Sequence, residues 1–150
     1  MPAVPAALAP PGSERAAFTL EAVGTQNYEC RSDAGKFAWV FVAPEAELLS
    51  EQGDKVGTHG AGPHWAALDG SKTVGTVKAR ANAQRAADIP LLLLTTKSDG
   101  GAGKMANVTS IQRLNTRGGI AQVGGCDTAQ DVGKRSKERY TADYVFFTAQ

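Results

Sequence analysis

Histidine, cysteine, tryptophan and methionine are scarce, with two of each in 150 residues. The cysteines, Cys30 and Cys126, lie far apart and neither belongs to a CxxC pair, which argues against a zinc ribbon and a thioredoxin-type redox couple. Charge of one sign is not in excess either. With 16 basic and 15 acidic residues the formal net charge is +1, so neither nucleic acid nor an anionic membrane surface is implied as a partner. A bilayer-spanning helix needs ~20 apolar residues; the longest apolar run, "IPLLLL" at 89–94, is strand-sized. No Ser/His/Asp order stands out and no cysteine neighbours a histidine, so nucleophilic catalysis has little to stand on and an enzyme is the less favoured reading. Helical windows are few. "ANAQRAAD" (81–88) has no apolar stripe and stops before Pro90, which predicts a loop. "TAQDVGKRSKER" (128–139) is charged and holds Gly133, and reads as a solvated loop or short helix rather than a basic binding patch.

What is present is a period of two. The chain has the length of one domain, enough to bury roughly 70% of its unfolded surface. In "KFAWVFVAP" (36–44), Phe37, Trp39 and Phe41 share one face and Val40 and Val42 the other; both faces are apolar, which predicts a central strand. "YTADYVFF" (140–147) alternates Tyr140, Ala142, Tyr144 and Phe146. "AAFTLEAV" (16–23) and "TQNYECR" (25–31) read as two strands broken at Gly24. "SKTVGTVKARA" (71–81) is β-branched, with Gly75 as a bulge or a close approach; "IPLLLLTT" (89–96) and "NVTSIQRLNT" (107–116) follow. Turn signals such as "EQGD", "LDGS" and "TRGG" separate them. The expectation is an extended arm over residues 1–14, then a single all-β domain over 15–150. Its architecture is an antiparallel sandwich or barrel of about eight to ten short strands with little helix.

The cysteines admit two readings. As a disulfide they close a long loop in an oxidising compartment; as free thiols they are small buried hydrophobes. Their neighbours in "YECRSD" and "GGCDTA" are polar, which favours the disulfide. The start, "MPAVPAALAPPGS", has no basic leader or long apolar stretch and reads as a Pro/Ala arm. An exported protein after signal removal has this appearance, as does a cytosolic protein with a loose tail.

Several candidates for chemistry stand out. "GTHGAGPHWAALDGSK" (57–72) holds both histidines, Trp65 and Asp69. His59 and His64 are a candidate copper or zinc pair, with Asp69, Asp54 or the N-terminal amine as a third ligand; two ligands are too few for a closed site, and a core or turn histidine donating to a backbone carbonyl is the bland alternative. "DG" between two strand-like runs makes the stretch first a hairpin, with Trp65 in the core or at a pocket mouth. Arg113 shares a strand face with Ile111, beside core positions, so it needs a partner; Glu29, Glu45 and Asp143 are the candidates. The alternative is an anion or carboxylate contact inside a barrel. Tyr28, Trp39, Tyr140 and Tyr144 form either core or a binding wall. Glu45 and Glu47 share a strand face, weak evidence for glycosidase chemistry.

Taken together, "QNYECR", "WVFVAPEAELL", "VGTHGAGPHWAALDGSKTVG", "IPLLLL", "VTSIQRLNTRGGIA", "GCD" and "YTADYVFF", in that order, resemble the domain of unknown function 3455 family, over about Ala7 to Phe147. The resemblance implies a secreted or periplasmic protein and a bridge between Cys30 and Cys126; it implies no particular activity. Some fungal members carry a malate dehydrogenase label, but no GxGxxG follows a strand here and no βαβ unit is readable. His64 stands where the family commonly has another residue, and Leu91 where a tryptophan is often found.

The expectation is therefore an exported, disulfide-bridged β domain acting as a non-enzymatic ligand-binding or surface module for a small molecule or a protein. His59, Trp65, Arg113, Tyr140 and Tyr144 are the candidate ligand-binding residues. The alternatives are a copper- or zinc-dependent protein built on His59 and His64, and a structural protein that self-associates through a sheet edge.

Overall fold

The computed structural model describes residues 4–150. Eight strands run in chain order: β1 (Glu14–Asp33), β2 (Lys36–Leu49), β3 (Lys55–Gly60), β4 (His64–Ala67), β5 (Lys72–Ala81), β6 (Leu91–Ser98), β7 (Val108–Gly118) and β8 (Arg135–Ala149). Each pairs antiparallel with the next, and β1 pairs with β8, so the sheet closes on itself as an up-and-down barrel. Sandwich and barrel were both open on periodicity alone; the β1–β8 ladder, from Glu14↔Ala149 to Glu29↔Arg135, decides for the barrel. The helical content among the described residues is two short 3-10 turns, Ala6–Leu8 and Ala129–Asp131.

Alternation sorts the side chains. Leu20, Ala22, Leu48, Ile111 and Phe146 point inward, and Phe18 stacks on Phe146 with ring centroids 4.6 Å apart. Burial of each of the larger of these side chains contributes roughly 1.5–3 kcal/mol. Met105, from the β6–β7 connection, is fully buried in the same cluster, its N–H donating to the Ser71 hydroxyl at 2.9 Å. This fills one end of the barrel. The "DG" stretch is the β4–β5 turn as expected, with Gly70 at φ +92° and the Asp69 carboxylate accepting from the Ser71 N–H at 2.9 Å.

Four elements differ from the sequence expectation. The charged stretch 128–139, read as a solvated loop or short helix, is a 3-10 turn at Ala129–Asp131 followed by the first five residues of β8, from Arg135. Gly24 does not break β1. It lies opposite Ala46 of β2 and Tyr140 of β8, where a β-carbon would collide with the backbone of Glu45 and Ala46. The glycine marks a close strand approach rather than a turn.

The first half of β2 is not a central strand. β2 meets β3 only from Ala46 to Leu49, so Lys36–Glu45 pairs with β1 alone and overhangs the ring. Val40, Phe41 and Val42 are exposed there, Phe41 at 47%.

The segment read as an extended arm is in part a docked turn. Its first three residues lie outside the described ones. Ala6–Leu8 packs on the outer side of β5 and β6, Leu8 is fully buried, and its carbonyl accepts from Gln112 Nε2 at 2.8 Å. This explains a run apolar on both faces: Leu92 and Leu94 belong to the interior cluster, while Leu93, on the opposite face, is also buried.

The structure joins Cys30 to Cys126, with Cα atoms 5.4 Å apart and a sequence separation of 96. The bridge ties the β7–β8 connection to the overhanging β1–β2 hairpin. Backbone bonds from Cys30 N to Lys134 O (2.8 Å) and Gly133 N to Cys30 O (2.9 Å) continue the attachment. Trp39 Nε1 donates to the Gly124 carbonyl at 2.8 Å.

Candidate functional site

An eight-stranded barrel has an interior just wide enough to be filled by side chains or to hold one small molecule. Here the end opposite Phe18 and Phe146 is not filled. A cavity of about 500 Å³ lies between Gln26 and Tyr28 of β1, Pro44 of β2, Leu92 and Leu94 of β6, and Arg113 of β7. That volume falls within the ~300–1,000 Å³ of small-molecule sites. Phe41, Val42 and Val77, all exposed, and Arg80 also line it and form its mouth.

His59, Trp65 and Tyr144 make one aromatic wall of this cavity. His59 of β3 and Trp65 of β4 are direct cross-strand partners, their rings stacked at 4.5 Å. Tyr144 meets both, at 5.0 and 5.5 Å. Gly75 permits this: a β-carbon there would strike the Trp65 ring. His59 Nδ1 lies 2.8 Å from the His64 carbonyl oxygen. A carbonyl only accepts, so Nδ1 carries the proton and Nε2 is the bare nitrogen. The Tyr144 hydroxyl, 3.2 Å away, donates to Nε2, and Tyr140, 3.3 Å beyond, donates to Tyr144. The chain of hydrogen bonds thus runs one way, Tyr140 to Tyr144 to His59 to the His64 backbone. Burial lowers the His59 pKa to about 3, so the imidazole is neutral at physiological pH. Burial also raises the Tyr144 hydroxyl, against the opposing pull of the Arg113 charge, and raises Tyr140.

Arg113 has none of the expected carboxylate partners. Glu29 pairs with Arg31 and Arg135, Glu45 with Lys137, and Asp143 accepts from Asn115 Nδ2 at 2.7 Å. Asp143 sits opposite Leu114 in the β7–β8 ladder, one position out of phase with the Arg113↔Tyr144 pair, and alternation therefore turns it to the other face. The guanidinium instead donates from Nε (3.0 Å) and Nη2 (2.8 Å) to one acceptor, the Pro90 carbonyl. Among the described residues no aspartate or glutamate lines the cavity. Two further donors, Gln26 Nε2 and Trp65 Nε1, are buried without a partner in residues that line it.

The histidine pair does not converge on a metal. His59 opposes Trp65 inside the barrel, while His64 opposes Gly60, one step along and therefore on the other face. His64 Nδ1 donates to the Ala61 carbonyl at 2.7 Å. Asp69 accepts from Ser71 and from the Lys104 N–H, in the β4–β5 turn. No group of three or more His, Cys, Asp or Glu with metal-binding geometry exists among the described residues.

Of the five candidate residues, His59, Trp65, Arg113 and Tyr144 line the cavity; Tyr140 stands behind Tyr144 and supports it through its hydroxyl. Tyr28, offered by the sequence as core or binding wall, also lines it, as do Gln26 and Arg80, which the sequence did not single out. Gln26 and Tyr28 continue the inward series Leu20, Ala22, Gly24, a signal visible only if β1 is read through Gly24. Arg80 reaches the mouth through the β5 bulge between Val77 and Ala79, which shifts its register by one and leaves no mark in composition.

The ring of strands and its one-ended interior define a closed up-and-down β-barrel with a cavity of ligand size. The chain belongs to the family described as protein of unknown function (DUF3455), which it matches over residues 10–148. No curated protein and no solved structure matches it. The family and the disulfide both agree with the expectation drawn from sequence, and the disulfide is consistent with an oxidising compartment outside the cytoplasm.

Proposed function

We propose that this protein is a non-catalytic binding protein that encloses one small, largely apolar molecule inside its barrel. The observation that carries the reading is the cavity itself: about 500 Å³, apolar-walled, with an aromatic face and a guanidinium that no carboxylate neutralises. Catalysis has poor support. The cavity lining contains no thiol and no carboxylate, His59 has both nitrogens engaged, and its bare nitrogen is a weak base. The disulfide and the family resemblance support a secreted or periplasmic location, where such a protein would capture or carry its ligand.

Titration with N-phenyl-1-naphthylamine, a neutral apolar dye that brightens when enclosed, tests the proposal. Saturable one-to-one binding is expected, with quenching or energy transfer at Trp65. Leu92→Trp, which fills the cavity with an apolar ring, is expected to abolish binding in a folded barrel. Absence of saturable binding to the wild-type protein would remove the reading.

A further inference from the structure

We infer that the molecule bound in this cavity is an amphiphilic carboxylate: one anionic head held by Arg113 and an apolar or aromatic body against the barrel wall. The inference rests on the binding role proposed above and names its ligand class.

The argument is one of unmatched donors. A guanidinium has five N–H donors and no acceptor. Arg113 uses Nε and Nη2 on a single carbonyl oxygen of Pro90 and has the neutral Tyr144 hydroxyl beside it, so its remaining N–H donors meet no carboxylate. The acids that sequence offered as partners are bonded elsewhere, to Arg31, Arg135, Lys137 and Asn115. A part-buried cation with no counter-ion is costly, and a ligand carboxylate supplies both charge and bidentate geometry. A neutral ligand would displace water from the guanidinium and leave its charge unanswered.

The nearby hydroxyls carry no charge to answer the guanidinium and have their own protons committed. Tyr28 donates to the Gly119 carbonyl and Tyr144 to His59 Nε2. The donors left over are those of Arg113, Gln26 and Trp65. The cavity lining is rich in free donors and holds no carboxylate; the nearest on the inward face, Glu138 opposite Gln26, accepts from the Ser136 hydroxyl, and such a lining selects an acceptor head. One interior guanidinium matches one negative charge, because the second arginine, Arg80, is exposed at the mouth. The rest of the lining, including Pro44, Val77, Ile89, Leu92 and Leu94, provides no polar side chain for a second head group.

The test is competition against the neutral dye, whose own binding reports the cavity independently of charge. Decanoate and 2-naphthoate are compared with decanol and 2-naphthalenemethanol at pH 7. Each carboxylate is expected to displace the dye at a concentration roughly ten- to a hundredfold lower than its alcohol, the worth of a charge-assisted hydrogen bond. Measured against each variant's own dye affinity, the carboxylate-over-alcohol preference is expected to vanish in Arg113→Met and to persist in part in Arg113→Lys. If dye binds but the alcohols compete equally, the carboxylate assignment is overturned while the binding role stands. The same follows if Arg113→Met, shown folded by circular dichroism, keeps the preference. Dodecyl phosphate competing tenfold better than the carboxylates would overturn the single-charge head. Failure of dye and carboxylates alike overturns both readings.

Discussion

His59 shows how much a single position decides. Its imidazole is held neutral by burial, with a pKa of about 3 against an ordinary value of 6.5. Between those limits the unfolded chain takes up a proton that the folded one does not. Stability therefore falls as pH drops through that window, by at most about 1.4 kcal/mol per pH unit. Urea midpoints measured from pH 7.5 to 4 should decline, and His59→Gln should flatten the slope. Asp69 acts in a lower window. The Ser71 hydroxyl and the N–H groups of Lys104 and Ser71 hold its pKa at about 2, so its contribution is complete above about 4 and disappears only as pH falls towards 2. Around His59 stand the indole of Trp65, the Tyr144 ring and the charge of Arg113, which further disfavours protonation. Much of this group was legible in sequence because each inward residue sits on a strand with clear alternation. What was not legible is that the acids near Arg113 turn to the other face. Face assignment depends on registers and bulges, such as the shift between Leu114 and Arg117, and these are settled by pairing across strands.

At the scale of elements, the misreadings share one cause: local signals for turns and burial do not reveal what lies across the sheet. Gly24 looked like a break because glycine punctuates hairpins, yet here it accommodates Glu45 and Ala46 at a tight crossing. Gly24→Ala should destabilise the barrel by about 1–3 kcal/mol or more, as expected for overpacking against backbone that has little room to yield; thermal melts would register it. The arm looked extended because Pro and Ala carry no periodic signal, but Leu8 is as buried as any interior residue. Leu8→Ala should cost about 2–5 kcal/mol, with the dye-binding cavity intact, since the turn sits on the outer surface of β5 and β6. A variant that melts like wild type would show that the docked turn contributes nothing.

Across the whole molecule, the bridge between Cys30 and Cys126 links the early and late parts of the chain. Closing a loop of about a hundred residues is worth up to ~4.7 kcal/mol in the chain-entropy model. Reduction, or the Cys30→Ser/Cys126→Ser pair, should lower the melting temperature strongly. It should also weaken dye binding, because the tethered connection begins at Gly119, which anchors the Tyr28 hydroxyl of the cavity wall. Calorimetry and dye titration under oxidising and reducing conditions check both effects together.

A closed ring is only as firm as its slimmest stave. β4 has four residues and shares three register positions with β5, whereas β1 and β8 run alongside each other for fifteen. Deuterium should enter the amides of Trp65 and Ala66 sooner than those of β1. Because Trp65 forms part of the cavity wall, a guest enclosed there should slow that entry, and the seam where the barrel breathes would report on whether its interior is filled.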